Sequence, residues 1–268
     1  MTSTARAELA GSGQAFLGIW ALLLASSAAA TVVWGASMDG AAGMRGMRMP
    51  GGWTMSMAWM RMAGQTWAGA AATFLGMWIV MMVAMMMPAL VPMLWRYRQA
   101  VGRAGEPRLA PLTAIAGVGY FLVWTLVGMA IFPLGVAFSA LEMQEPAVSR
   151  AVPFAIGGVV VIAGAAQLTA WKARQLACCR QAHWRGLTLP ADAGLAWRRG
   201  VRLGLHCAQC CAGATAILLV IGVMDLRAMA VVTAAITLER LAPAGERVAR
   251  TLGAVAVAAG VLLIARAV

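Results

Sequence analysis

Long apolar stretches alternate with short polar stretches along the chain, and neither shows a strict two-residue alternation. A helix of about 20 apolar residues, at 1.5 Å per residue, crosses a hydrocarbon layer of roughly 30 Å. A membrane β-barrel would alternate polar and apolar positions instead. The pattern therefore predicts an all-α fold, a polytopic transmembrane helix bundle with spans at residues 14–36, 67–95, 111–134, 152–171, 203–224, 227–241 and 251–267.

The sixth of these seven predicted spans is short for a membrane crossing. It covers about 15 residues, against the roughly 17 to 25 that a crossing helix needs. Six spans plus a re-entrant or interfacial segment are therefore the alternative. We predict one transmembrane domain over residues 14–268 after a cytoplasmic tail at 1–13, with a methionine-rich outer loop at 37–66 and a basic Cys/His inner loop at 172–202.

Composition narrows the class of protein. Of the 268 residues, 62% are hydrophobic and 11% are charged, which excludes a soluble globular domain, at about 25% charged, and a disordered chain. The net charge of +12 is a topology signal, because cytoplasmic loops collect Lys and Arg. Most basic residues fall on the side of the N-terminus, so we expect a bacterial inner-membrane protein with a cytoplasmic N-terminus. No basic run is interleaved with stacking aromatics, so we expect the lipid bilayer as a partner and no nucleic acid.

The strongest chemical signal is the clustering of all five cysteines and both histidines in one window, from Cys178 to Cys211. On a helix Cys207 and Cys211 lie one turn apart and Cys210 lies beside them, so we expect the three thiols to converge on one point. Thiolates and imidazoles bind Cu(I), Zn(II) and iron–sulfur centres, and soft thiolates favour Cu(I). The candidate metal ligands in this window are Cys178, Cys179, His183, His206, Cys207, Cys210 and Cys211.

Two other interpretations of the cysteines stay open. A free cysteine in a reducing cytoplasm behaves as a small hydrophobic residue. Neighbouring thiols also exchange disulfides when a thiol pKa is lowered, so a dithiol redox pair is the other alternative.

The 20 methionines form a second signal, concentrated in residues 38–93. In the second span Met77, Met81 and Met85 follow at four-residue steps, each advancing about 40° around the helix, so they form a ladder along one face. A thioether is a soft, uncharged ligand that holds Cu(I) weakly inside lipid, where charged ligands are costly. Core packing, and contact with the membrane interface for the outer loop, are the alternatives. The candidate ligands on this helix are Met77, Met81, Met82, Met85 and Met86.

The directions of the predicted spans bring the two signals together. The second span runs from outside to inside and the fifth from inside to outside, which places Met85 and Met86 at the depth of the thiols. Pro88 and Pro92 predict a kink nearby, because each removes a backbone donor. An outer methionine collector, a methionine ladder and an inner thiol and imidazole site would then follow in sequence.

Few polar groups lie within the predicted spans. Gln167, Asp225 and Glu239 stand near helix ends, where water, Arg227 or Arg240 would satisfy them, so we favour a structural role for these three. The sequence has no glycine-rich phosphate loop, no Ser/His/Asp set and no paired catalytic carboxylates. We therefore expect no enzymatic activity, apart from the redox alternative.

A set of motifs is spread over about residues 67–242: Trp78 to Pro88 with its Met-Met-Pro end, Pro92, Lys172, Cys179-Arg180, Gly204 to Cys211 with its Cys-x2-Cys-Cys end, and Gly222-Val-Met224 with Glu239. The set resembles the bacterial family described as predicted metal-binding integral membrane proteins. Members tend to have Trp after the paired cysteines, Asn after Gly-x-Met and two spaced loop cysteines. This chain has Ala212, Asp225 and the adjacent Cys178-Cys179 there. The resemblance implies metal binding without naming the metal.

We therefore hypothesise a non-enzymatic inner-membrane protein that binds copper as Cu(I), with zinc as the alternative metal. It would take up Cu(I) through methionines and hold it at the cysteines with help from His206. Its role would be copper transfer or supply to a membrane metalloenzyme or metallochaperone partner. A structural or accessory subunit of a larger membrane complex and a membrane thiol-disulfide oxidoreductase are the competing hypotheses.

Overall fold

A computed structural model describes the backbone of residues 3–40, 47–48, 54–55, 59–61, 64–102, 108–180, 190–223 and 225–267. Side chains are described over residues 13–35, 59–61, 64–102, 108–179, 190–223 and 225–267. His183 and the side chains of most outer-loop methionines lie outside these ranges.

Eight helices make up almost all of the described structure. They are α1 (Ser3–Gly40), α2 (Trp67–Gly102), α3 (Leu109–Gln144), α4 (Pro146–Gln167), α5 (Ala170–Arg180), α6 (Ala193–Ile221), α7 (Leu226–Leu241) and α8 (Gly245–Ala267). Two short strands, β1 (Met47–Arg48) and β2 (Thr54–Met55), pair antiparallel with Met47 opposite Met55. The all-α prediction is confirmed.

Six helices in the described part of the chain are long and apolar enough to cross a membrane, namely α1, α2, α3, α4, α6 and α8. The predicted span at 227–241 corresponds to α7, which has 16 residues and is not among the six. Six candidate spans in the described part of the chain agree with the alternative of six spans plus a re-entrant or interfacial segment.

Several helices extend beyond the apolar stretches from which they were predicted. Helix α1 begins at Ser3, inside the predicted tail, and α5 and the start of α6 occupy both ends of the predicted inner loop at 172–202. Hydropathy marks the part of a helix that lipid can surround, whereas polar turns continue the same hydrogen-bond ladder in water. Helix α2 continues through Pro88 and Pro92 to Gly102.

Helix α2 is the centre of the bundle. In its most apolar 18-residue window 56% of the residues are buried, against 17% for α3 and 6% for α1. Its most extensive contacts are with α1, α3 and α7, while α4 packs between α6 and α8. Trp78 of α2 is fully buried, and its indole N–H donates to the carbonyl oxygen of Trp124 in α3 at 2.8 Å. The side chains of α2 therefore face other helices over most of its length.

Small residues allow α3 and α6 to approach closely. A Cβ atom placed on Gly204 of α6 would lie 2.8 Å from the carbonyl oxygen of Tyr120, and one placed on Gly119 of α3 would lie 2.9 Å from that of Trp197. Glycines at such contacts let two backbones meet, as is common between membrane helices. This contact brings Tyr120 against the face of α6 that carries Cys207.

The substitution Gly204→Ala tests this contact. We expect it to lower the free energy of unfolding by about 1–3 kcal/mol, because the added methyl overlaps the α3 backbone. The measurement is thermal or denaturant unfolding of the detergent-solubilised protein. Gly158→Ala is the matched control, because a Cβ atom there has no neighbour within 4 Å. Equal stabilities of the two variants would contradict the close packing of α3 and α6.

Candidate metal centre

Helix α6 carries three of the five cysteines into the interior. Asp192 caps its first turn, accepting a hydrogen bond from the Leu195 N–H at 2.7 Å. One buried stripe of this helix comprises Gly200, Gly204, Cys207, Cys211, Thr215 and Leu218, at the spacing of a single helix face. The stripe faces α2 and α3. Its small glycines let α6 approach α3 closely, so the thiols of Cys207 and Cys211 lie at the centre of the bundle.

Cys207 lies between α2 and α3. Its sulfur is 2.8 Å from the hydroxyl oxygen of Tyr120 and 3.9 Å from the thioether sulfur of Met86. All three side chains are buried. Two sulfur ligands at about 2.3 Å from one tetrahedral ion would be about 3.8 Å apart. The separation of the two sulfur atoms would therefore allow both to bind one soft metal ion.

Cys210 faces a different set of neighbours. It belongs to a second buried cluster with Met93 of α2, Cys179 and Leu176 of α5, and Ala249 of α8. The Cys179 thiol also donates to the carbonyl oxygen of His206 at 3.5 Å. The interaction of the Cys179 thiol with the Cys210 thiol, together with burial, raises the pKa of Cys179.

The three thiols of α6 lie close to one another, as a row rather than around a single point. Neighbouring thiols interact in the order Cys207, Cys211, Cys210 and Cys179. Within the described ranges, however, no three His, Cys, Asp or Glu side chains are placed to hold one metal ion. Consecutive helix residues are about 100° apart, so Cys210 and Cys211 turn toward different helices. The cluster is a row of sulfur atoms, with a methionine near each end.

Arg240 of α7 reaches into the middle of this row. One guanidinium nitrogen is 3.3 Å from the Cys211 sulfur and 4.0 Å from the Cys179 sulfur. Arg240 is buried, and within the described residues no salt bridge joins it to a carboxylate. A guanidinium stays protonated in proteins. The sulfur row therefore lies in a strongly positive environment.

A buried ion pair lies beside Cys210, at one side of the sulfur row. The Lys172 ammonium is 2.7 Å from a carboxylate oxygen of Glu239 and donates to the Cys210 carbonyl oxygen at 2.7 Å. The amide nitrogen of Gln167 donates to the other Glu239 oxygen at 3.0 Å. Arg240 or water was predicted as the partner of Glu239, whereas the structure pairs Glu239 with Lys172 and Gln167. Asp225, by contrast, caps α7 through the Arg227 and Ala228 N–H groups.

The remaining predicted ligands fall into three groups. Met77, Met81, Met82, Met85 and Met86 are buried in one core cluster with Cys207 and Cys211. His206 is half-buried, and its Nδ1 has no hydrogen-bond partner among the described residues. Cys178 is exposed, and His183 lies outside the described residues.

Sequence reasoning did not select Tyr120, Met93, Lys172 or Arg240 as site residues. Lys172 is the only lysine in the chain, and Tyr120 is one of two tyrosines. The rarity of these two residue types was the sequence signal that could have marked Lys172 and Tyr120 as site residues. Arg240 was counted as a topology charge, because hydropathy does not distinguish an arginine in water from one turned toward the bundle.

One comparison with known proteins gives a match. A family model described as PpoB2, copper chaperone, matches residues 75–263. This range includes α2 from Leu75 onward and every cysteine. No curated protein and no solved structure matches.

The Lys172–Glu239 pair predicts that removing one partner lowers the free energy of unfolding, and that removing both partners restores much of it. Lys172→Met alone should destabilise the fold by about 3–5 kcal/mol, because it removes the ammonium that pairs with the buried Glu239 carboxylate. Combining it with Glu239→Leu should recover much of the loss. Unfolding of the solubilised protein measures both effects, and Arg250→Met in the exposed pair with Glu246 is the control. Additive losses in the double variant would contradict the pairing.

The cysteines should differ sharply in reactivity. N-ethylmaleimide should modify Cys178 in the folded, reduced protein well before the four buried thiols, because a buried thiol is shielded from the reagent. Mass spectrometry of timed samples gives the order of modification. Cys178→Ser should remove the fast phase, and a fast phase that survives this change would place another thiol at the surface.

Proposed function

The chain belongs to the PpoB2 copper chaperone family, and from this premise we propose that it is a membrane-embedded carrier that binds Cu(I) as cargo. In this proposal it supplies copper to a metalloenzyme and catalyses no reaction itself. The carrying observation is the 3.9 Å separation of the Cys207 and Met86 sulfur atoms within the buried bundle. Thiolate and thioether are soft ligands, the type that selects Cu(I).

The primary cargo site consists of Cys207, Cys211 and Met86. Cys207 interacts with Cys211 one helical turn away and with Met86 across the α2–α6 contact. The Tyr120 hydroxyl, 2.8 Å from Cys207, fixes the orientation of that sulfur. A supporting hydrogen bond of this kind typically changes metal affinity by about 10- to 100-fold.

Charge favours a monovalent cargo. Among the described residues, Lys172 and Glu239 form an ion pair, and the positive guanidinium of Arg240 lies against the Cys211 sulfur. Cu(I) with two thiolates carries one negative charge, and Arg240 neutralises it. Zn(II) with two thiolates would be neutral and would leave the guanidinium uncompensated, which is costly in a low-dielectric interior. This balance supports Cu(I) over the zinc alternative.

The second half of the sulfur row provides a place for release. Cys210 and Cys179, with Met93, lie beside α5, and the exposed Cys178 is adjacent in sequence. Thiols at graded depth allow a soft ion to exchange one ligand at a time, so the ion is never without a partner. A receiving protein would take Cu(I) from the α5 end of the site.

The surroundings of this site are proposed to be the bacterial inner membrane. Six helices have the length and apolar character for crossing it. The distribution of Lys and Arg supports a cytoplasmic N-terminus. In that orientation the sulfur row lies toward the cytoplasm, and the methionine face of α2 leads to it from the opposite side.

Titration with Cu(I) against a competing chelator, under reducing conditions, tests the proposal. The wild type should bind Cu(I) with sub-micromolar affinity, on the order of 8 kcal/mol or more. Cys207→Ser and Cys211→Ser should each weaken it at least about tenfold, since each removes a direct ligand. Ala212→Ser adds a hydroxyl at an exposed position of the same helix and is the control.

Three results would contradict the proposal. Affinity unchanged in both cysteine variants would exclude the primary site. A reversible intramolecular disulfide without metal binding would favour a thiol-disulfide oxidoreductase. Normal assembly with a partner complex after replacement of all five cysteines would favour an accessory subunit.

A further inference from the structure

A small cavity lies beside α2, one to two helical turns before Met86, which contacts the sulfur row. Its volume is about 10 Å³, and it is lined by Thr31 and Trp34 of α1, Met77, Val80 and Met81 of α2, and Met229 of α7. The three methionines are buried, with 6%, 2% and 5% of their surface exposed. Methionines from two helices thus line one space, whose volume is close to the minimum that a single water molecule needs.

The lining offers soft donors and little else. It carries no charged side chain, and the hydroxyl of Thr31 already donates to the Ser27 carbonyl oxygen at 2.8 Å. A buried water needs two to four polar partners, which thioethers and alkyl groups do not supply. Soft, neutral thioether sulfurs instead match a soft, monovalent metal ion.

Three flexible methionine side chains border this space. Methionine is unbranched and flexible, and it normally adapts to fill irregular gaps. Here three such chains border the same space and leave it open. The aromatic side chain of Trp34 also lines the space.

We propose that Met77, Met81 and Met229 form a second Cu(I) site, made only of thioethers and separate from the sulfur row. This inference rests on the proposed function, because it gives that function its entry point. Neutral ligands leave the positive charge of the ion uncompensated, so binding here is weaker than at thiolates. The ion is then released along α2, from Met81 to Met85 over a rise of about 6 Å, and reaches Cys207 through the adjacent Met86.

Silver(I) is a suitable probe, because it is a soft monovalent cation that does not change oxidation state in buffer. The full-length protein, labelled with ¹³C at its methionine methyl groups, is titrated with Ag(I) in detergent and followed by NMR. We expect resonances of Met77, Met81 and Met229 to shift after the sulfur row has been filled. Met129, an exposed methionine of α3, should not shift. Absence of a shift at Met229 at saturating Ag(I) would overturn the proposal.

Substitution separates this site from the thiols. Met229→Leu conserves volume but removes one sulfur, and it should weaken the thioether site about tenfold or more, as loss of a ligand does. Met129→Leu is the control. The Cu(I) affinity at the cysteines should be unchanged in both variants. Absence of Cu(I) binding at the cysteines of the wild type would contradict the proposed function. Equal thioether-site affinities in Met229→Leu and Met129→Leu would contradict this inference alone.

Discussion

A permanent positive charge inside an apolar bundle requires a partner, and the position of Arg240 imposes that requirement on the whole site. Its guanidinium lies against the sulfurs of Cys211 and Cys179. Because Lys172 is already engaged with Glu239, sulfur is the matching partner that the described neighbourhood offers. The low dielectric that makes an unpaired charge costly also makes this electrostatic interaction strong. A thiol row beside a fixed cation is therefore suited to hold an ion through negatively charged thiolates.

The arrangement of sulfur along α2 gives the proposed carrier a direction. Thioethers come first, at Met77 and Met81, and thiols are reached at the level of Met86. Neutral ligands bind a cation weakly and release it readily, whereas thiolates also contribute charge. A gradient of affinity therefore follows from ligand chemistry alone, without any moving part in the protein. The rigid packing of α2, which is buried along most of its length, preserves the spacing of the ligands.

Much of the fold could be predicted from the sequence, because hydrophobic length directly reports what lipid can surround. The same signal is least informative at the two short helices. Hydropathy placed α7 among the spans and left α5 inside a loop, since neither the length of α7 nor the polar character of α5 identifies tertiary partners. At the site, residue type and helical spacing predicted that Cys207 and Met86 share a depth. They did not predict that Cys210 turns away toward Cys179, because that rotation depends on which helices pack on each side of α6. The places of Tyr120 and Arg240 beside the thiols were not predicted for the same reason, because both residues reach the site from other helices.

Helix α7 then acquires a role that its length alone does not explain. From Met229 to Arg240 it extends over eleven residues, or roughly 16 Å. Met229 borders the thioether cavity near its beginning, and Glu239 and Arg240 contact the thiol region at its end. A helix that spans both places but does not need to cross the membrane fixes the distance between the two proposed sites. Its shortness is therefore consistent with a connecting function, in which one rigid segment supplies a ligand to the first site and the neutralising charge to the second.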